Sequence, residues 1–129
     1  MSKSRGQIAS KRQETRITRS LQQIKQDAKR VLASGALWFA KSDIVSELFQ
    51  IEAKTKEKPS KSMTIKKEWM DKIEQEGFEN KKIPALAFSF GENTDYFVIR
   101  DREFYTLVEE LDLLRRLRDE LVSRNSVGN

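Results

Sequence analysis

Cysteine and histidine are both absent from this chain of 129 residues, and the two absences remove most familiar catalytic chemistry. Thiol nucleophiles, zinc sites of the Cys/His type, haem ligation through histidine and any histidine-based triad or general base are excluded. Oxygen-ligand metal chemistry and lysine remain. No disulfide framework can form, which fits an intracellular, cytoplasmic protein. Long apolar runs are missing too: Ala36–Ala40 and Ile83–Phe90 are strand-sized, so neither a membrane span nor a signal-peptide core is expected. With two prolines and five glycines, breaks are few, and Ser34-Gly35, Pro59, Gly77 and Gly91 punctuate the chain.

Charge is plentiful. Lys, Arg, Asp and Glu make up 35% of the residues, and the net charge is +5. The excess is uneven: residues 1–30 hold nine Lys or Arg against Glu14 and Asp27, so the rest is slightly acidic. A basic end of this kind is the footprint of a phosphate-backbone binder. The length suits one domain with a single modest core.

Residues 1–10 read as a flexible basic arm and residues 11–124 as the domain, with 125–129 as a frayed tail. Ser10 is a plausible N-cap for a first helix, in which Ile17, Leu21, Ile24, Ala28, Val31 and Leu32 recur at helical spacing up to Ser34-Gly35. Three β-type runs follow: Ala36–Phe39, Asp43–Val45 and Leu48–Ile51. Thr55–Met63 reads as an exposed, mobile loop. A second helix is expected after Ser62 or Thr64, with Ile65, Trp69 and Ile73 as its stripe and Gly77 as its end. Ile83–Phe90 is a buried strand, Asp95–Ile99 a further strand, and Glu103–Arg124 a long amphipathic helix. The order predicts an α/β fold: a central mixed sheet of about five strands flanked by helices.

The chemically explicit feature is Asp43 followed by Glu52-Ala53-Lys54. If the hairpin turns at Glu47-Leu48, Asp43 lies opposite Glu52, about 5 Å away at Cα. Two carboxylates so close repel unless a divalent cation sits between them. Alternation puts Gln50, Glu52 and Lys54 on one, chemical, face and Phe49, Ile51 and Ala53 on the other, core, face. Lys54 can then orient a water for attack on phosphorus. This is the donor set of a metal-dependent nuclease.

An Asp on one strand and Glu-x-Lys on the next, with a helix before and after, resembles the PD-(D/E)XK nuclease superfamily, and within it the archaeal-type Holliday junction resolvase branch. The likeness spans roughly residues 8–111. It implies a restriction-endonuclease-like fold and an active site of Glu14, Ser34, Asp43, Glu52 and Lys54. Asp43, Glu52 and the Ala53 carbonyl would hold Mg²⁺ or Mn²⁺, with Glu14 as a further ligand, directly or through water. Ser42 stands where many members carry proline, Glu68 where a Gln is often found, and the interval from Asp43 to Glu52 is tighter than in many cellular members. So short a version resembles phage or mobile-element enzymes acting inside a host cell.

The resemblance also implies a homodimer nicking symmetric strands of branched DNA, the four-way junction, with no organic cofactor and no membrane. The region around Trp69 and Met70 is the expected interface, with the long last helix as another source. Lys11, Arg12, Arg16 and Arg19 on the first helix, Lys56, Lys58 and Lys61 in the loop, and Lys66 beyond it are the candidate DNA contacts. Two other readings fit the same residues: a nicking, flap or fork endonuclease of the same chemistry, and a non-catalytic DNA-binding protein of this fold.

Overall fold

A computed structural model describes residues 3–31 and 43–127. The expected strand Ala36–Phe39, Trp38 within it, and the candidate Ser34 lie outside the described residues. The chain divides into two units, residues 1–98 and 99–129. The first contains helices α1 (Arg5–Gln23) and α2 (Lys67–Asn80) and strands β1 (Lys29–Arg30), β2 (Ile44–Val45), β3 (Phe49–Thr55), β4 (Ile83–Ser89) and β5 (Tyr96–Val98). The second is the helix α3, Asp101–Val127, which continues through residues 125–127 where a frayed tail was expected.

The five strands form one mixed sheet in chain order. β1 and β2 pair antiparallel, as do β2 and β3, and β4 and β5, while β3 and β4 run parallel. Parallel neighbours need a crossover, which is supplied by α2. The middle of the sheet is covered on both faces, since Gln50, Ile51 and Glu52 are consecutive and all buried, as are Pro84 to Leu86 and Ala87. Helix α2 takes the side of Gln50 and Glu52, where Asn80 Nδ2 donates to Gln50 Oε1 at 2.9 Å. α1 packs on β3 as well, and covers the side of Ile51. The expectation of one chemical and one core face is corrected accordingly: the chemical face is itself largely roofed, because α2 packs across it.

Helix boundaries differ from expectation for local reasons. Residues 5–10, expected as a flexible arm, are the first turns of α1, because Ser4 and Gln7 form a capping box: Gln7 N–H donates to Ser4 Oγ and Ser4 N–H to Gln7 Oε1. At its other end α1 stops at Gln23, well before Ser34-Gly35. Lys25 adopts a left-handed conformation (φ 67°), and Gln26 N–H reaches back to the Leu21 carbonyl, a closure normally given to glycine. Ile24 is consequently exposed, and the chain enters β1 instead of continuing as helix.

Gly77 does not end α2, which runs on to Asn80 and closes on Lys81 in the left-handed region (φ 56°). Its role is close packing: a Cβ there would lie 2.9 Å from the Lys82 carbonyl oxygen and 3.0 Å from Pro84 Cβ. The loop expected to be mobile is tied to the end of β4 and the turn after it, through Lys56 N–H to the Ser89 carbonyl and Ser60 N–H to the Phe90 carbonyl. Gly91 (φ 92°) sits against the Lys58 carbonyl, where a Cβ would approach to 2.4 Å. Beside this region Phe88 stacks on Tyr96 across β4 and β5, with centroids 5.3 Å apart, and both rings meet Phe90 edge-on.

Gly77→Ala gains about 1 kcal/mol of helix propensity but must displace backbone and a proline ring, a strain of about 1–3 kcal/mol. Urea unfolding should therefore show a net loss of stability. An unchanged or higher midpoint would mean that α2 slides freely on β4.

Candidate active site

The β2–β3 hairpin has a two-residue loop, Glu47-Leu48, closed by Ser46 N–H to the Phe49 carbonyl at 2.9 Å. Ser46 Oγ also accepts from Phe49 N–H at 3.0 Å. Ile44 pairs with Ile51 and Val45 with Gln50. The ladder ends at Ile44, and Asp43 is brought beside β3 by two bonds of its own, with its carboxylate close enough to raise the Glu52 pKa. Asp43 N–H donates to the Ile51 carbonyl, and Asp43 Oδ2 accepts from Ala53 N–H at 2.8 Å. Because N–H and C=O of one strand residue point the same way, the Ala53 carbonyl also faces Asp43, beyond the end of β2.

Glu52 is 6% exposed. Its Oε1 lies 3.6 Å from Lys54 Nζ and its Oε2 3.8 Å from Lys72 Nζ on α2. Neither ammonium hydrogen-bonds the buried Oε2, which has no hydrogen-bond partner among the described residues. Burial above all, and then the Asp43 carboxylate, push the Glu52 pKa up to about 7, against the pull of Lys72 and Lys54; Glu76 adds a small push. Burial likewise raises the Asp43 pKa, opposed by Ala53 N–H and by Lys54, Lys72 and Arg30. Glu14 on α1 is raised by burial and by Asp43, and Arg30 in β1 opposes the shift from 4.0 Å away. Three carboxylates thus feel one another's field. Among the described residues no group of three or more Asp or Glu gathers tightly enough to hold a metal by itself.

A buried carboxylate and a half-buried one in repulsion, the buried one with an oxygen unsatisfied among the described residues, and an adjacent outward carbonyl fit a divalent cation with hard oxygen ligands. Asp43, Glu52 and the Ala53 carbonyl would hold it. Lys54 is restrained beside them: its ammonium lies 4.7 Å from the Trp69 ring centroid, and Lys66 Nζ sits 5.7 Å from the same ring. Its carbonyl accepts from Gln13 Nε2 at 2.9 Å. Trp69, expected in the core or a dimer interface, forms part of the site's wall.

Sequence reasoning missed Lys72, Gln13 and Arg30. The signal for Lys72 was present, since it falls with Ile73 and Glu76 on the helical face defined by Trp69, but only apolar residues were read as that stripe. Gln13 was masked by its basic neighbours, yet it stands one helical turn before Ile17; it is 1% exposed, and its amide also lies 3.3 Å from Asp95 Oδ1. Arg30 could not be placed while residues 11–34 read as one helix.

Of the candidate DNA contacts, Arg16 is already engaged by both Asp95 oxygens at 2.7 Å. This ties α1 to the start of β5. Lys11, Arg12 and Arg19 are exposed, and with Lys3 and Arg16 they line an open groove of about 580 Å³. Lys3, through a side-chain hydrogen bond and then through its charge, lowers the Lys11 pKa, as crowded cations do. Lys56, Lys58 and Lys61 are exposed, and Lys66 is loosely paired with Glu68 at 4.0 Å.

No family model and no curated protein matches the chain. The mixed five-stranded sheet and its helices are an α/β fold that the chain shares with a solved structure. The likeness is to the structure of Hjc, a Holliday junction resolvase from the archaeal hyperthermophile Archaeoglobus fulgidus, with a TM-score of 0.56 and 18% identity over 69% of this chain and 75% of that one. No helix among the described residues is long and apolar enough to cross a membrane.

Folding raises the Glu52 pKa from 4.5 to about 7, so between those values the folded chain holds a proton that the unfolded chain releases. Stability then falls as pH rises through that window, and the full cost stands above it. In EDTA, Glu52→Gln should stabilise the protein at pH 8 by about 2 kcal/mol. The gain should fade as the pH is lowered toward 4.5. Denaturant melts at the two pH values check this, and a gain independent of pH would contradict it.

Proposed function

We propose that this protein is a metal-dependent, structure-selective DNA endonuclease, a Holliday junction resolvase that acts as a homodimer and nicks symmetric strands of a four-way junction. The observation that carries the proposal is the hairpin that brings the Asp43 carboxylate onto Ala53 N–H and into the field of Glu52, with Lys54 Nζ 3.6 Å from Glu52 Oε1. The fold shared with Hjc, itself a Holliday junction resolvase, supports the choice of substrate.

In this reading Asp43, Glu52 and the Ala53 carbonyl hold Mg²⁺ or Mn²⁺, which when bound supplies Lewis acidity toward the phosphate and keeps both carboxylates ionised. Glu14 acts from the side of α1 through a water. Lys54 orients the attacking water and offsets negative charge that develops on the phosphoryl oxygens, from a position restrained by the Trp69 ring. Lys72 shares the neutralisation of Glu52 and so favours its ionised form. Ser34 would hydrogen-bond the scissile phosphate or position the metal's water shell, a role that rests on the resemblance alone. Lys11, Arg12 and Arg19 along α1 and Lys56, Lys58, Lys61 and Lys66 on the other side meet the DNA backbone, and no groove-reading element is present among them, which favours shape over sequence as the basis of selection.

Labelled four-way junction, fork, flap and linear duplex, incubated with Mg²⁺, Mn²⁺ or EDTA, test the proposal. Paired symmetric nicks in the junction are expected with either metal and none in EDTA. Asp43→Asn, Glu52→Gln and Lys54→Met should each lower the rate by about a hundredfold or more while leaving junction binding in place. Preferential cutting of forks or flaps would keep the chemistry and reject the substrate. Binding without cutting by the wild type would reject the enzyme.

A further inference from the structure

Helix α3 carries an apolar stripe that is left open along its length. Leu111, Leu114, Leu117 and Leu121 are 48%, 63%, 47% and 58% exposed, and Phe104 and Val108 are exposed as well. At 1.5 Å per residue the helix is about 40 Å long, too long and too apolar on one side to stand in water without a partner.

Two properties of its sequence specify that partner. Leaving aside Leu113, which lies outside the pattern, the leucines are symmetric about Leu114, with Leu111 and Leu117 three residues to either side and the half-buried Leu107 and exposed Leu121 seven. Charge, by contrast, is antisymmetric: residues 101–112 hold five acids and one arginine, whereas residues 113–127 hold four arginines and two acids. The helix dipole accounts for acids in the first turn and for Arg124 in the last, but its influence does not reach the middle of the helix. Some of the central charge is used within the helix, as in Arg116 with Asp112 and Arg118 with Asp119. Among the described residues Glu109, Glu110 and Arg115 have no ion-pair partner.

We infer that α3 pairs with α3 of a second copy of this chain, antiparallel, about a two-fold axis passing through Leu114. An antiparallel pair brings Leu107 level with Leu121, Leu111 level with Leu117 and Leu114 level with itself, and it lays each acidic half along the partner's arginine-rich half. Parallel pairing would match the leucines with their own copies but set acid against acid and base against base. This deepens the dimer part of the function proposed above, names α3 instead of the Trp69 region as its interface, and requires neither metal nor DNA.

Because the chain has no cysteine, single-cysteine variants report the pairing directly. Under mild oxidation Leu114→Cys should form a disulfide-linked dimer. Leu107→Cys alone and Leu121→Cys alone should not, but an equimolar mixture of the two should link. Self-linking of Leu107→Cys would overturn the antiparallel arrangement. In sedimentation the wild type should run as a dimer and Leu111→Glu/Leu117→Glu as a monomer with unchanged circular dichroism. A monomeric wild type, or a double variant that stays dimeric, would overturn the proposal. Asp43→Asn should dimerise like the wild type, so a failure of the pairing and a failure of the nuclease reading are told apart.

Discussion

Everything at the site follows from the register of one hairpin. Strand side chains alternate with a period of two, so a slip of one residue between β2 and β3 would turn Asp43 away from Glu52 and send Lys54 to the other face. The register is held at one end by the Glu47-Leu48 turn and the Ser46 hydroxyl. At the other end it is held by the Asp43 carboxylate itself, which accepts from Ala53 N–H. The same carboxylate therefore helps to fix the geometry and raises the energy of its neighbour.

That neighbour is kept in an unfavourable state on purpose by its surroundings. Glu52 is buried beneath α2, and the two lysines that approach it do so at 3.6 and 3.8 Å, outside hydrogen-bonding distance. A closer, fully bonded pair would neutralise the charge and leave less to gain from an incoming cation. Close packing at Gly77 against Lys82 and Pro84 helps to hold α2 over Glu52, so a backbone detail near the end of the helix bears on the electrostatics of the site.

Much of this was legible in the sequence, and the parts that were not share a cause. The order of elements, the two-residue turn and the approach of Asp43 to Glu52 follow from alternation and turn chemistry over short stretches, where local rules dominate. The end of α1 was misread because Ile24, Ala28 and Val31 continue the helical period while the backbone reverses at Lys25, a residue type with no turn signature. Gly77 was misread for the opposite reason, as a stop signal spent on packing instead. Lys72, Gln13 and Arg30 came from elements far from the hairpin in sequence, and only the tertiary arrangement brings them to it.

Gln13 also limits how this chain can drift. Its amide nitrogen donates to the Lys54 carbonyl and stands beside Asp95, so the position demands a donor. Glutamate has the same shape and is one base change away in the genetic code, but when ionised it offers only acceptors and would set a buried carboxylate against that of Asp95. The substitution nearest in both codon and size is thus among the least tolerable, and the route to replacing Gln13 runs through partners that must change with it.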